Sequence, residues 1–296
     1  RTCVISSSFR PGTVEFDGVG LQEVLWNNDM YFANFRNVVV GNSNNPICRH
    51  VTGTYTPDNI LGNLTINGSS TLDLATSQWI RNTSGGTFAV NGTARLILGN
   101  DHSIVSPASG QGVIVDGSNF PGGFNTITLS GTSTIEYDAD SSLNQTIYAT
   151  PTYGNLTMTN STGSGTADRI TTGVLTISGT TQVKDGVTFT PAANITSNGA
   201  FQVKNGGKMI CASYIVSGSG SFALESGGTI SLGSNAGITS SGATGNIQTT
   251  TRTFSTGGNY IYLSTGATNT GNGLPTTVNN LTISNSSGVT LYAAGT

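Results

Sequence analysis

Short runs in which apolar and polar residues alternate recur along the whole chain. Residues 64–66, 88–90, 201–203 and 281–283 read Leu-Thr-Ile, Phe-Ala-Val, Phe-Gln-Val and Leu-Thr-Ile. Alternation with a period of two residues is typical of strands that bury one face, and threonine between apolar residues suits a pleated surface. Helix-forming residues do not cluster at helical spacing in any segment. The pattern therefore predicts an all-β protein.

A longer repeat is superimposed on this alternation. Residues 13–17 read Thr-Val-Glu-Phe-Asp and residues 134–138 read Thr-Ile-Glu-Tyr-Asp, an offset of 134 − 13 = 121 residues. An asparagine opens another strand about 20 residues after each of them, at Asn37 and Asn155, and Asn280 opens a third after the more divergent segment 260–263. The repeat predicts internal modules of about 120 residues at 13–133, 134–253 and, in part, 254–296.

Within the modules, predicted strands recur roughly every 20 residues, separated by Gly, Asn and Ser, which tolerate the backbone of tight turns. Two architectures fit this spacing: tandem β-sandwiches and a right-handed parallel β-helix, a solenoid with coils of about 20 residues. We favour the β-helix, because irregular spacing fits loops that project from single coils. We expect residues 1–296 to form one continuous β-solenoid segment, a fragment of a longer chain whose other segments adjoin it.

The composition agrees with stacked coils. The 11 basic and 14 acidic residues make up 8% of the chain, against roughly 25% in typical globular proteins. Stacking places similar residues above one another, where Ser, Thr and Asn are tolerated and like charges repel. The net charge of −3 without a basic cluster argues against nucleic acid as a partner. No apolar run approaches the ~20 residues of a membrane span.

Several blocks carry a resemblance to known proteins. They are residues 242–248 (Gly-Ala-Thr-Gly-Asn-Ile-Gln), 253–260, 270–275 and 278–283 (Val-Asn-Asn-Leu-Thr-Ile). These blocks resemble repeat units of very large surface proteins of Bacteroidetes that the type IX secretion system exports, including gliding-motility adhesins. The resemblance implies an extracellular, cell-surface location and a structural or adhesive role as a spacer or filament, with adhesion or gliding as the process served. Surface polysaccharide and the secretion or motility machinery are the partners it implies.

The three cysteines, Cys3, Cys48 and Cys211, have no Cys-x-x-Cys spacing, which argues against a metal or thioredoxin-type site. Cys3 and Cys48 are a candidate disulfide in an oxidising compartment. Three buried free thiols are the alternative. We predict no metal ion and no cofactor.

Carboxylates are the residues with which a β-helix enzyme would cleave polysaccharides. Glu136, Asp138 and Asp140 alternate on one predicted strand face, as paired acids for glycoside cleavage would. Their first two positions recur at Glu15 and Asp17, however, which favours a solvated strand face or turn caps. We therefore predict no catalytic residue and no enzyme activity, and keep a carbohydrate-active β-helix enzyme and a tailspike-type phage or viral fibre as alternatives.

One long excursion from the repeat is the best candidate for a binding loop. Trp26, Tyr31 and Phe32 lie within it, and loops that carry aromatic side chains are frequent binding elements. The two histidines, His50 and His102, have neither metal-ligand spacing nor a recognisable catalytic context, so we interpret both as loop or surface residues.

Overall fold

The computed structural model describes residues 2–5, 12–26, 35–51, 58–99, 117–139, 144–161 and 165–292. These residues form strands that we number in chain order. The first ten are β1 (Thr2–Ile5), β2 (Thr13–Phe16), β3 (Leu21–Trp26), β4 (Asn37–Val40), β5 (Ile47–Val51), β6 (Asp58–Asn59), β7 (Leu64–Ile66), β8 (Thr71–Asp73), β9 (Trp79–Val90) and β10 (Arg95–Leu98). The next ten are β11 (Gly122–Leu129), β12 (Thr134–Tyr137), β13 (Gln145–Ile147), β14 (Thr152–Tyr153), β15 (Asn155–Met158), β16 (Ala167–Thr171), β17 (Leu175–Ile177), β18 (Thr181–Val183), β19 (Val187–Thr190) and β20 (Ile195–Ser197). The last nine are β21 (Ala200–Val203), β22 (Lys208–Ile210), β23 (Val216–Leu224), β24 (Thr229–Leu232), β25 (Ile247–Phe254), β26 (Asn259–Tyr262), β27 (Thr268–Asn269), β28 (Asn280–Ile283) and β29 (Val289–Thr290).

The strands stack in parallel into a solenoid with three sides. The first side runs β1-β3-β5-β8-β10-β12-β15-β18-β21 and ends on the C-terminal halves of β23 and β25. The second side begins with β2, β4, β7, β9 and β11. Strand β14 contacts β11, and from β14 this side continues through β17 and β20 to the start of β23. The third side runs β13-β16-β19-β22-β24-β26-β28. The predicted all-β parallel solenoid is confirmed, and the arrangement is not one of tandem antiparallel sandwiches.

The alternation in the sequence places one residue in two inside the solenoid. On the first side, Leu72, Leu96, Ile135 and Leu156 follow one another in register and are fully buried. The column continues through Thr181 to a stack of phenylalanines, and each such ring buries a large apolar surface. In that stack the ring centroids of Phe201 and Phe222 are 5.7 Å apart, and those of Phe222 and Phe254 are 5.8 Å apart.

Asparagine side chains hydrogen-bond successive coils to each other. Asn37 Oδ1 accepts the backbone N–H of Asn63 at 3.0 Å, and Asn63 Oδ1 accepts that of Thr87 at 2.8 Å. Asn91 donates in turn to Asn67, which precedes it by 24 residues, and Gln182 donates to Gln202, 20 residues later. Coil length therefore agrees with the predicted value of about 20 residues in the later coils and is somewhat greater in the earlier ones.

Glycines form a second column at the corner between the second and first sides. A Cβ atom on Gly199 would lie 2.1 Å from the carbonyl oxygen of Gly179, and one on Gly220 would lie 1.9 Å from that of Gly199. A Cβ atom on Gly179 would likewise lie 2.6 Å from the carbonyl oxygen of Gly154. The backbones of adjacent coils approach so closely here that a side chain would overlap the coil below. We call Gly154, Gly179, Gly199 and Gly220 the corner glycines.

Candidate functional surfaces

The outer face of the first side is a continuous column of side chains. Its members occupy matching positions on successive strands, from β3 to β25: Glu23, Arg49, Asp73, Ile97, Glu136, Thr157, Gln182, Gln202, Ala223 and Thr253. Its charged residues all lie in the first half: Arg49 stands between Glu23 and Asp73, and its Nε lies 2.9 Å from Asp73 Oδ2. Its second half is neutral. The column is suited to lateral contacts along the solenoid.

The carboxylates that the sequence singles out have structural partners. Glu136 is 6% exposed and accepts hydrogen bonds from the Arg95 guanidinium. Asp138 Oδ1 accepts the backbone N–H of Ser161 in the next coil at 2.8 Å. Asp140 lies outside the described residues. Glu136 and Asp138 therefore each stabilise the stack, as an ion pair and as a turn cap.

Asp17 has the same capping role in the first module. Its Oδ1 atom accepts the backbone N–H groups of Asn42, Ser43 and Asn44 at 2.8, 3.0 and 2.8 Å. The hydrogen bonds from Asn42 and Asn44 are the main cause that lowers the pKa of this exposed carboxyl group. The turn-cap interpretation of the repeated aspartate is confirmed at Asp17 and Asp138.

His50 is buried on β5, where the centroid of its ring lies 6.4 Å from that of Trp79 in an edge-to-face arrangement. Burial disfavours the imidazolium form and lowers the pKa of His50 to about 4. The imidazole is therefore neutral near pH 7 and packs as part of the core. The interpretation of His50 as a loop or surface residue is wrong, because its strand directs the ring into the solenoid. His102 lies outside the described residues.

A buried polar network in the middle of the solenoid has no clear signal in the sequence. The hydroxyl groups of Tyr137 and Tyr153 are 2.9 Å apart, and Tyr153 donates to the carbonyl of Tyr148 at 2.5 Å. Arg169 is fully buried and donates to the carbonyls of Ala139 and other residues, including Tyr137. Burial raises the pKa of Tyr137 and of Tyr153. The network joins coils inside the solenoid, where the side chains of Tyr137, Tyr153 and Arg169 are fully buried.

Two of the predicted binding and disulfide residues, Cys3 and Trp26, can be placed by their backbone only. Cys3 lies on β1, opposite Val24, and Trp26 is the last residue of β3; their side chains, and Tyr31 and Phe32 entirely, lie outside the described part. Cys48 is buried on β5. The Cys3–Cys48 disulfide and the loop with Trp26, Tyr31 and Phe32 stay predictions. Cys211 is a buried free thiol whose pKa is raised to about 12 by burial.

One cleft opens on the outside of the solenoid, where an insertion at 233–246 folds against the turn at 213–215. We call it the insertion cleft; its volume is about 530 Å³. The side chains around it include Ser213, Asn235, Thr244, Gln248 and Thr265, with Ile215 as an apolar wall. No titratable side chain lines this cleft. The lining can therefore donate and accept hydrogen bonds, but it offers no acid, base or nucleophile of perturbed pKa.

The insertion is fixed by two side chains. Asn246 is buried: its Nδ2 donates to the carbonyls of Ala212 and Tyr214 at 3.0 and 2.7 Å, and its Oδ1 accepts the N–H groups of Gly233 and Ser234. The Arg252 guanidinium binds the middle of the insertion, where it donates to the carbonyl and the hydroxyl of Thr239 at 3.0 and 2.7 Å. The cleft is therefore preformed.

In the described part of the chain, no three His, Cys, Asp or Glu side chains lie close enough together to hold a metal ion. No helix among those residues is long and apolar enough to cross a membrane. No family model, no curated protein and no solved structure matches this chain.

Proposed function

We propose that this chain is a structural and adhesive segment of a large bacterial cell-surface protein, in which it acts as a spacer or filament. The observation that supports this most is the unbroken register on the first side from Glu23 to Thr253. Each coil is hydrogen-bonded to its neighbours through backbone ladders and through asparagines such as Asn37 and Asn63. Bending such a stack stretches hydrogen bonds on the convex side, so the segment is stiff.

The cellular setting is the second part of the proposal. The blocks at 242–248 and 278–283 resemble repeats of Bacteroidetes surface proteins. That resemblance supports an extracellular location, export by the type IX secretion system and a role in adhesion or gliding. Under this proposal, neighbouring segments of the same long chain, surface polysaccharide and the secretion or motility machinery are the partners.

The proposal includes that the segment is not an enzyme. Glu136 and Asp138 support it, because one is paired with Arg95 and the other caps a turn. A turnover panel of neutral and acidic polysaccharides, monitored by release of reducing ends and of unsaturated products, is expected to stay flat. Cleavage of any panel member that is abolished by E136Q or D138N would favour the carbohydrate-active alternative.

Stiffness is tested by single-molecule energy transfer. Dyes attached through unnatural amino acids at Ser43 and Ser286, both exposed and in turns, are separated by a distance on the order of 50 Å, from ~4.8 Å per coil. A rigid spacer gives one narrow distance distribution, as broad as that of a rigid double-labelled standard. A broad or multiple distribution in native buffer would contradict the spacer role.

A further inference from the structure

We propose that the insertion cleft is a binding site for a neutral, hydroxyl-rich carbohydrate. The inference rests on the proposed adhesive role and gives it a site and a ligand class. The cleft volume of about 530 Å³ is within the ~300–1,000 Å³ of small-molecule sites, and it has room for one or two sugar rings.

The chemistry of the lining selects the ligand class. In the described part of the chain, no protein partner satisfies the side-chain hydroxyls of Ser213, Thr244 and Thr265, the amide N–H₂ group of Asn235 or the amide oxygen of Gln248. These groups include both donors and acceptors, which is what a sugar hydroxyl needs, since it donates and accepts at once. Without a charge in the lining, an anionic ligand would lose its hydration with no ion pair in return.

The way in which the cleft is built also supports a binding role. The preceding coil takes 21 residues to reach the matching position on the next strand, from Phe201 to Phe222 (222 − 201). The next coil takes 30 residues, from Phe222 to Arg252 (252 − 222), because it contains the insertion. The stack does not need the insertion to continue its register. Asn246 and Arg252 nevertheless fix it with several hydrogen bonds. A rigid, preformed site loses less conformational entropy when a ligand binds.

The cleft also sets the expected strength of binding. No aromatic side chain lines it, so the stacking that tight sugar sites use is absent. We expect dissociation constants of about 1 mM for single oligosaccharides. Several copies of the site on one surface would bind a polymer more tightly through avidity.

Isothermal titration or ligand-observed NMR tests the proposal with short glucan, galactan, mannan and xylan oligosaccharides and, as the charged comparison, oligogalacturonate. We expect at least one neutral oligosaccharide to bind in the millimolar range and oligogalacturonate to bind at least tenfold more weakly. The variant N235A/Q248A removes the unsatisfied N–H₂ group of Asn235 and the unsatisfied amide oxygen of Gln248, and it is expected to weaken binding at least tenfold. The matched control Q202A/N279A removes two amides outside the cleft and is expected to leave binding unchanged.

A second variant, A243W, places a bulky ring in the cleft wall without removing a hydrogen bond, and it is expected to abolish binding while the circular dichroism spectrum is retained. No binding of any neutral oligosaccharide below about 10 mM, equal binding of oligogalacturonate, or equal binding by N235A/Q248A would each overturn the proposal. The energy-transfer distance does not depend on the cleft. If no carbohydrate binds but the distance distribution is narrow, the carbohydrate site is refuted and the spacer role is retained.

Discussion

The substitution Gly199→Ala tests whether close approach of the coil backbones limits the fold. An added Cβ atom would lie 2.1 Å from the carbonyl oxygen of Gly179, far inside van der Waals contact. Gly199 has little room to move away, because the backbone of Gly220 in the next coil packs closely on its carbonyl; a Cβ atom added to Gly220 would lie 1.9 Å from that oxygen. The stack must therefore open locally around the corner glycines.

Two effects of opposite sign set the magnitude. Overpacking in a close-packed stack costs about 1–3 kcal/mol, while replacing glycine lowers the entropy of the unfolded chain and returns about 0.4–1 kcal/mol. We expect G199A to lose about 1–2 kcal/mol of unfolding free energy. Gly173 is the matched control: a Cβ there would meet only the Cβ atom of Ala149, at 4.0 Å. We expect G173A to be neutral or slightly stabilised.

Urea unfolding of G199A and G173A, followed by circular dichroism, gives the comparison. Solenoids can unfold in more than one step, so hydrogen exchange at the amides of β20 and β21 is measured as a local probe. We expect faster exchange there in G199A alone. Equal urea midpoints and equal exchange in both variants would refute the argument that the corner requires glycine for steric reasons.

Three further predictions concern the core, a buried histidine and a turn cap. F222A removes the middle ring of the phenylalanine stack and is expected to cost about 3–5 kcal/mol, whereas F254A, at the partly buried end, should cost clearly less in the same urea experiment. The folded pKa of His50, about 4, lies below its unfolded value of about 6.5, so protonation favours the unfolded state. The free energy of unfolding should therefore fall as the pH decreases from about 6.5 towards 4. In H50F, which has no imidazole to protonate, this decrease should be smaller. The pKa of Asp17 is lowered in the folded protein, so the ionised carboxylate stabilises the fold. This stabilisation is fully present above the unfolded pKa and disappears as the pH falls through the folded pKa. D17N should remove it, so that stability depends less on pH in the acid range.

The strands were predictable because one face of each is buried. The alternating residues at 64–66 and 201–203 are found in β7 and β21, with Leu64, Ile66, Phe201 and Val203 fully buried. Alternation does not reveal which strand is the neighbour, so it fits a sandwich as well as a solenoid. The irregular spacing of the strands favoured the solenoid, and only the parallel register demonstrates it.

The partners of polar residues were beyond the reach of the sequence. Arg95 and Glu136 are 41 residues apart and meet because one coil stacks on the next. Arg169 reads as an ordinary strand residue between Asp168 and Ile170 and is fully buried. The insertion cleft combines segments near 213, 235, 244 and 265 that no motif connects. Such sites depend on the register of the stack, which local patterns do not encode.

The long repeat keeps a stacked pair of strands but not the side on which that pair lies. In the first module β4 lies on β2, in the second β15 lies on β12, and in the third β28 lies on β26. These pairs belong to three different sheets. Repeated residues are thus distributed around the solenoid and cannot form one aligned binding face. What the repeat maintains is stacking: Asn155 Oδ1 accepts the N–H of Thr180 as Asn37 Oδ1 accepts that of Asn63. None of these three strand pairs lines the insertion cleft, so the proposed ligand site does not depend on the side of the solenoid on which a pair lies.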